Sequence, residues 1–514
     1  MSLLSDIPAD RRFVGTTLLL CALAGIVTSV WCLYVDDVVN YDAVEYIRAA
    51  EKLASRDWTG AFAVHQWPFF SFLMWLVGGA FGLSFEHAGE LLNTVFFTAS
   101  SMLFVLVVRA FGGISRRLTV FAALVAVLHP AFNEYRAFII RDAGYLAFYL
   151  VALFCLARSV GESGFRYPLG VLAGLVLASL FRIEGVVFLF SAPLLIATAR
   201  GRGAGSPWMW VVLLISSAAV LAVVLGWWLI APNGGVTADT PITTPLDVVG
   251  SAWHQITNSV SYKITVLRTE FLGPYAEEYA WALFVFAVVM ILVSATLSQL
   301  TIPWALLVIG TLGFGVRFPE KAHNRIWLSL VGMHLAILLV FVVIKLFLAS
   351  RYPLALTVTI LILVPMALER LISRFKWTDL KLPARVLAGF LLLWGAGECV
   401  SGLDNVTRAR AVKDAGLWLR SQATIPGSLV TNDRRLAYYA GRHRDLKFIE
   451  IHFKRLRVGL TKWNWWPQAS YFAVRLTRDE DAIEQMFTEV LGRPPERIFV
   501  REVGDRVLIY NLKH

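Results

Sequence analysis

A run of acidic and aromatic residues after the first long apolar segment contains groups suited to proton transfer. Asp42, Glu45 and Tyr46 have the i, i+3 and i+4 spacing that places side chains on one face of a helix. A carboxylate held there can take a proton from an acceptor hydroxyl or amine as a general base. The alternative is a solvated helix at a membrane surface, and the spacing alone slightly favours that alternative.

The same stretch contains candidate metal ligands. Asp37 and Asp42 supply carboxylates, and His65 supplies an imidazole about twenty residues further on. Carboxylate oxygens and imidazole nitrogens are common ligands of divalent metals. The sequence leaves a divalent metal open and does not determine whether one is needed.

Further along the chain, arginines and carboxylates occur together. Arg136 and Arg141 can bind phosphate oxygens through forked guanidinium donors. Asp142 is either a second catalytic acid or the N-cap of the helix that it starts. Arg182 and Glu184 interrupt an apolar stretch, so they form either an internal salt bridge or part of a polar cleft.

Arg351 opens a late apolar segment. It can neutralise a lipid phosphate, or it can anchor its helix by extending its charge towards the membrane surface.

Transmembrane helices are predicted to position these residues. The 514-residue chain is 57% hydrophobic and 16% charged, with a mean hydropathy of +0.64, whereas about a quarter of the residues of a soluble domain are charged. Apolar runs long enough to approach or exceed a membrane span recur along the chain. They cover 13–35, 89–111, 118–135, 143–160, 168–181, 185–199, 209–231, 279–298, 301–316, 326–348, 351–372 and 384–403.

Basic residues that flank these runs predict the topology. Arg11 and Arg12 place the N-terminus in the cytoplasm by the positive-inside rule. The positive-inside rule is satisfied when the run 301–316 does not cross the membrane. This arrangement predicts about 11 membrane spans and at most 13. The outer face then carries the first outer loop 36–88, the loop 129–142, the short loop 182–184, a long outer loop 232–278, Arg351 and the segment 404–514. The candidate residues all fall on that face, which predicts an external active cleft.

The segment 404–514 is predicted to be a small soluble α/β domain, separate from a transmembrane catalytic domain at 1–403. Its pattern predicts a strand at 428–431, helices at 412–421 and 479–491, and a hairpin of 497–503 with 506–512. The formal net charge is +11, and this segment contributes much of the basic excess. Beside a membrane such charge favours anionic lipid headgroups over nucleic acid.

Several short motifs resemble the C-type integral-membrane glycosyltransferases, which use polyprenyl-phosphate sugars. This class includes aminoarabinose transferases, protein mannosyltransferases and rhizobial core transferases. The first outer loop, with its Asp42-Ala-Val-Glu45-Tyr46 motif, resembles the corresponding loop of the class. Arg182-Ile-Glu184-Gly185, Arg351-Tyr352-Pro353 and the stretch from Thr431 to Arg442 resemble later motifs.

The resemblance implies a mainly α fold, with a polytopic transmembrane bundle, interfacial helices in the first outer loop and a C-terminal periplasmic domain. It implies that Asp42 is the general base of an inverting transfer from an undecaprenyl-type phosphate to a periplasmic lipid, glycan or protein. Arg136, Arg141, Arg182 and Arg351 would then stabilise the leaving phosphate. Glu45 and Asp142 are further candidate catalytic residues, and Tyr46, His65 and Glu184 are candidate contacts of the lipid phosphate or the sugar. The implied location is the bacterial inner membrane.

The chain departs from the motifs of two subfamilies of this class. Aminoarabinose transferases have a Lys-Pro-Pro segment after the first loop, and here His65-Gln66-Trp67-Pro68 stands in its place, which disfavours a lipid A role. Mannosyltransferases begin the loop with Asp-Glu, whereas this chain has Asp42-Ala43. The sugar and the acceptor stay open.

Three other function classes fit a chain of this kind less well. A flippase or transporter of lipid-linked sugars would need broken central helices and charges near the membrane midplane. A polysaccharide polymerase or ligase would be expected to place its key residues in a late outer loop. A structural or signalling protein would not explain why acids and arginines converge on one face.

Overall fold

The fold is that of a computed structural model. The structure describes residues 8–162, 164–200, 211, 215, 218, 245–313, 315–374, 382–403, 410–422, 428–443, 447–448, 469–476, 481–500 and 506–512. Contacts between Cα atoms divide the chain into two compact units. The first comprises Met1–Ser29, Thr94–Tyr135 and Arg141–Leu403, and the second comprises Val30–Asn93, Arg136–Ile140 and Asp404–His514.

Helices dominate the chain up to residue 403. They are α1 Pro8–Val35, α2 Ala43–Ala54, α3 Trp58–Val64, α4 Phe69–Phe81, α5 Phe85–Gly112, α6 Arg116–Leu128, α7 Pro130–Asn133, α8 Asp142–Arg158, α9 Arg166–Phe181, α10 Glu184–Arg200, α11 Pro245–Val266, α12 Ala280–Leu300, α13 Ile302–Gly313, α14 Lys321–Lys345, α15 Leu354–Leu361, α16 Leu363–Arg374 and α17 Leu382–Ser401. A π-helical turn, Leu267–Phe271, and a 3-10 turn, Glu277–Tyr279, lie between α11 and α12.

Five helical segments within the described residues are long and apolar enough to cross a membrane. They are Asp10–Val35, Phe85–Gly112, Glu277–Leu300, Lys321–Lys345 and Leu354–Ser373. Shorter apolar helices include Phe69–Phe81, Arg166–Phe181 and Glu184–Ala199. The prediction of a mainly α, multi-span fold is confirmed. The predicted span at 209–231 and the start of the loop 232–278 lie outside the described residues, apart from three isolated positions.

Two boundaries differ from the sequence-based prediction. The apolar run 118–135 is not one helix, because α6 ends at Leu128 and a short helix starts at Pro130. His129 between them has an extended backbone, as is usual for a residue before proline. Residues 245–266, predicted within a long outer loop, form a helix.

Glycines allow α8 and α9 to pack closely in the first unit. A Cβ atom added at Gly144 would lie 2.2 Å from the ring of Phe181, and one at Gly174 would lie 2.8 Å from the backbone of Ala152. Small residues permit such close approach of membrane helices. The pairing brings the start of α8, at Asp142, to the end of α9, where Arg182 follows.

The second unit contains α2, α3, α4 and a C-terminal α/β module. The elements of this module are α18 Arg410–Ser421, β1 Ser428–Thr431, α19 Arg434–Tyr439, β2 Lys447–Phe448, β3 Ala469–Leu476, α20 Asp481–Leu491, β4 Arg497–Val500 and β5 Arg506–Asn511. The five strands form one sheet in the order β2-β1-β3-β5-β4. β1 is parallel to β2 and β3, whereas β5 is antiparallel to β3 and β4.

The sheet and α20 share an apolar core. Phe472 of β3, Phe487 of α20 and Tyr510 of β5 are buried and their rings are in contact. The predicted α/β module and the pairing of its hairpin strands are therefore confirmed, while the turn at residues 504–505 lies outside the described residues. The predicted domain boundary at 403/404 stays a prediction, and the compact unit that contains the module also contains the segment Val30–Asn93.

Candidate functional site

The first unit contains a buried charged cluster built around Arg182. Its guanidinium forms ion pairs with Asp142 and Glu184, and its Nε donates to Glu184 Oε2 at 3.0 Å. Burial disfavours the charged form, but the carboxylates of Glu184 and Asp142 outweigh it and raise the pKa of Arg182 well above its ordinary value. Arg182 is thus a fixed cation that links the start of α8 to the start of α10.

The contacts of this cluster answer two questions that the sequence left open, one about Arg182 and Glu184 and one about Asp142. Arg182 and Glu184 do form the internal salt bridge, and they also line a cavity. Arg141 occupies the N-cap position of α8, whereas Asp142 is the first helical residue and is committed to Arg182. Asp142 is therefore not the capping residue.

The cavity in the first unit joins this cluster to the start of α15. It has about 370 Å³ of empty space, part of which is open to solvent. The polar lining residues are Asp142, Tyr145, Arg182, Glu184, His334 and Arg351. Leu146, Ile337, Leu338, Leu354 and Ala355 supply an apolar wall. A cavity with both surfaces suits an amphiphilic ligand.

Two guanidinium groups contact the ring of Tyr352 in this cavity. The Arg182 guanidinium carbon is 4.9 Å from the centre of the Tyr352 ring, and that of Arg351 is 5.7 Å from it. Such cation–π contacts orient a planar cation without neutralising it. Arg351 is partly exposed, whereas Arg182 is 7% exposed and held by two carboxylates. Arg351 is accordingly the cation better placed to meet a ligand anion.

The cavity lining includes a tyrosine hydroxyl and an imidazole nitrogen that are buried and have no hydrogen-bond partner among the described residues. Tyr145 Oη and His334 Nε2 make no hydrogen bond to any described residue. Tyr145 is 5% exposed and His334 is 6% exposed. Sequence reasoning missed both residues, because each lies inside an apolar helical run and resembles an ordinary core position.

The acidic segment belongs to the second unit. Asp42 occupies the N-cap position of α2, is half-buried, and does not accept a capping hydrogen bond. Glu45, one turn later, forms an ion pair with Arg434 of α19. The Arg434 guanidinium also lies 5.2 Å from the ring centre of Tyr41. A basic residue of the C-terminal module therefore lies beside the segment that carries Asp42.

Tyr46 and His65 contact each other. Their rings are 4.9 Å apart, and Tyr46 also meets Phe70 edge-on at 5.4 Å. His65 Nδ1 accepts a hydrogen bond from the backbone N–H of Trp67 at 3.2 Å. These contacts fix α2 against α4, and they give both residues a packing role beside the predicted substrate contact.

The metal candidates do not gather into a site. Asp37 accepts from Lys413 Nζ at 2.9 Å, and His65 is engaged with Tyr46 and Trp67. Within the described ranges, no group of three or more His, Cys, Asp or Glu side chains is placed to hold a metal ion. A divalent metal stays a prediction, and the proposed reaction does not use one.

Arg136 and Arg141 belong to different units. Arg136 is 1% exposed within the segment 136–140 of the second unit. Asn40 fixes that segment by accepting from Ile139 N at 2.8 Å and donating to Ile139 O at 3.3 Å. Arg141 is half-buried at the start of α8 in the first unit. A phosphate role for either residue stays a prediction.

Further residues of the C-terminal module contact the segment 36–88, which was predicted as the first outer loop. The backbone N–H of Val39 donates to Tyr439 Oη at 2.8 Å, Tyr438 Oη donates to Glu86 at 2.6 Å, and His443 Nε2 lies 3.1 Å from Glu51. Burial, followed by the Glu86 carboxylate, raises the pKa of Tyr438, so its hydroxyl stays protonated and donates. Sequence patterns could not reveal these contacts, because the partners are more than 350 positions apart.

Solved structures of other proteins resemble the fold of this chain. ArnT from Cupriavidus metallidurans, crystallised with undecaprenyl phosphate, is 14% identical with a TM-score of 0.56, and the match covers 96% of this chain and 97% of that one. The oligosaccharyltransferase of Archaeoglobus fulgidus, tethered to an acceptor peptide, is 12% identical with a TM-score of 0.53, covering 93% and 71%. The chain has the fold of these two proteins, which are C-type (GT-C) membrane glycosyltransferases.

The likeness confirms the predicted fold and leaves the substrates to be established, since identities this low carry the fold alone. The chain matches no protein-family model and no curated protein sequence. The chemistry proposed for this chain therefore rests on the charged cavity and on the acidic segment that contains Asp42.

Proposed function

We propose that this protein is an integral-membrane glycosyltransferase that moves a sugar from a polyprenyl phosphate to an acceptor outside the cytoplasm. The observation that carries the proposal is the GT-C fold over almost the whole chain, shared with a transferase crystallised with undecaprenyl phosphate. The amphiphilic cavity of the first unit supports it, because a lipid-linked sugar has an apolar chain, an anionic phosphate and a polar ring.

In the proposed reaction, a hydroxyl or amine of the acceptor attacks the anomeric carbon of the sugar. Asp42 takes the acceptor proton as general base. The bond between the anomeric carbon and the phosphate oxygen breaks, the configuration inverts, and polyprenyl phosphate leaves. The role of Asp42 rests on the motif resemblance and on its half-buried position at the start of α2.

Arg351 is the proposed partner of the leaving phosphate. Negative charge develops on that group as the glycosidic bond breaks, and a nearby fixed cation lowers the barrier. Arg182 has a different proposed role, because its charge is committed to Asp142 and Glu184. It holds the ends of α8, α9 and α10 together and orients Tyr352 by ring contact.

The proposed setting is the bacterial inner membrane, with the N-terminus in the cytoplasm and the C-terminal module in the periplasm. The segment 232–278 and the C-terminal module are the proposed determinants of acceptor choice. Exchanging both with the corresponding parts of a relative should change the acceptor that is used, and an unchanged acceptor would remove this assignment.

The test uses the full-length protein in lipid nanodiscs. A panel of undecaprenyl-phosphate sugars is supplied with a crude envelope extract as the acceptor source, and release of free undecaprenyl phosphate is measured. Acceptor-dependent release from one donor supports the transferase and names the sugar. Movement of a lipid-linked sugar across the bilayer of proteoliposomes, without release from any donor, would indicate a transporter instead.

A further inference from the structure

Tyr145 and Tyr149 form a stacked pair on α8 whose hydroxyl groups have different partners. The ring centres are 6.0 Å apart, with an interplanar angle of 19°. Tyr149 Oη is 2.8 Å from Thr359 Oγ1, so the protein satisfies it internally. Tyr145 Oη makes no hydrogen bond to a described residue, although Tyr145 is just as buried and lines the cavity.

Two histidines on α14 differ in their surroundings. His323 lies outside the cavity, where its Nε2 is 3.1 Å from the carbonyl oxygen of Ala157 and its Nδ1 makes no hydrogen bond to a described residue. His334 lines the cavity, and its Nε2 makes no hydrogen bond to a described residue. Its ring is held edge-on to Tyr149 at 5.2 Å and lies 4.6 Å from Phe188. The imidazole is therefore fixed in place by aromatic packing while one ring nitrogen stays available.

Buried polar atoms without partners are costly, and proteins retain few of them unless a ligand or an ordered water completes the hydrogen bonds. Here two such atoms line one cavity. We propose that Tyr145 and His334 bind hydroxyl groups of the sugar of the lipid-linked donor and so select the sugar. This inference rests on the proposed function, because it assigns residues to the donor cavity.

The charges of the cavity favour a neutral, hydroxylated group at this position. Asp142 and Glu184 together carry two negative charges, which Arg182 and Arg351 balance. A phosphate would meet Arg351 at the partly exposed side, whereas the buried Arg182 is already saturated by carboxylates. A phenolic hydroxyl and an imidazole can both donate and accept, which matches the bonding of a sugar hydroxyl.

Sites built to hydrogen-bond a substrate hydroxyl discriminate strongly against analogues that lack it, because the buried protein groups are then left unpaired. Tyr145 and His334 therefore act as specificity-determining residues. The apolar wall of the cavity, which includes Leu146 and Leu338, would contact the non-polar parts of the ligand without reading its hydroxyl pattern.

The experiment compares binding of two probes to the full-length protein in nanodiscs. The probes are undecaprenyl phosphate and the undecaprenyl-phosphate sugar that gives turnover, both measured by native mass spectrometry. Tyr145→Phe and His334→Gln should each weaken binding of the sugar-bearing lipid by about 3- to 10-fold, the range expected for one neutral hydrogen bond. Binding of undecaprenyl phosphate should stay within about twofold, since neither group contacts the phosphate.

Tyr149→Phe and His323→Gln are the matched controls. Each removes an internal hydrogen bond outside the lining of the cavity, so we expect a lower thermal unfolding temperature and unchanged preference between the probes. Equal loss of both probes in Tyr145→Phe, or unchanged binding of both, would overturn the proposal and leave water as the partner of these atoms. Failure of the wild-type protein to bind either probe would instead reject the lipid-linked donor itself.

Discussion

Arg434 of the C-terminal module forms an ion pair with Glu45, one helical turn after Asp42. The same guanidinium lies against the ring of Tyr41, immediately before Asp42. Arg434 therefore contacts a residue on each side of Asp42 in the sequence, and Asp42 is the proposed general base. The C-terminal module thus has a positioning role for the acidic segment, in addition to its proposed role in acceptor choice.

We expect Arg434→Gln to lower kcat by about 3- to 10-fold with a smaller change in KM, because a slightly displaced base costs rate at the chemical step. Steady-state kinetics with the undecaprenyl-phosphate sugar that gives turnover would measure this. Arg497→Gln is the matched control, since Arg497 is a basic residue of the same module that lies over the rings of Trp418 and Phe499. If Glu45→Gln and Arg434→Gln were strictly additive in kcat, the pair would not act as a unit.

Replacing Arg182 should affect stability more than donor binding. Arg182→Gln leaves Asp142 and Glu184 as buried carboxylates without their cation, a change that typically costs about 3–5 kcal/mol. The apparent unfolding temperature in detergent should fall sharply. Arg182→Lys should recover only part of it, because a lysine lacks the fork that contacts both carboxylates. An unchanged unfolding temperature in Arg182→Gln would contradict the structural role assigned here.

Replacing Arg351 should affect donor binding more than stability. Arg351→Gln should raise the donor KM by about tenfold, within the range for a lost charge-assisted hydrogen bond to phosphate. The unfolding temperature should change little, because Arg351 is partly exposed. Arg268→Gln, at an exposed site in the π-helical turn, serves as the control. Equal KM values for Arg351→Gln and wild type would exclude Arg351 from phosphate binding.

A substitution at Gly185 tests the packing of the turn that contains Arg182 and Glu184. A Cβ atom at this position would lie 2.5 Å from the backbone nitrogen of Ser179, and backbone cannot move aside cheaply. Gly185→Ala should destabilise the protein by about 1–3 kcal/mol, as overpacked sites do. Gly332→Ala is the control, because no atom lies within 4 Å of the added group there. Equal unfolding temperatures for the two variants would show that the turn tolerates a side chain.

The sequence predicted much of the fold because hydropathy and periodicity are local signals. The helical character of the chain, the strand at 428–431 and the hairpin pairing of β4 with β5 all follow from such patterns. The break at His129-Pro130 was missed, because an apolar run does not reveal where its helix ends. Composition alone also gave residues 245–266 no clear helical signal.

The candidate site was predicted only in part. Arg182, Glu184 and Arg351 could be found because charge is conspicuous in an apolar stretch, and the structure places all three around one cavity. Tyr145 and His334 could not be found, since their significance lies in a missing hydrogen bond that only tertiary structure reveals. The contacts of Arg434 with Glu45 and of Tyr439 with Val39 depend on long-range packing and have no local signature.

The most direct test of the central claim compares Asp42→Asn with Asp57→Asn in lipid nanodiscs. Asp57 accepts a capping hydrogen bond from Gly60 N at 2.8 Å, and asparagine caps helices about as well, so the control should behave as wild type. Release of undecaprenyl phosphate from the donor should fall by about 10²- to 10⁴-fold in Asp42→Asn, the usual contribution of a general base. Equal release by the two variants would contradict the assignment of Asp42 and the mechanism built on it.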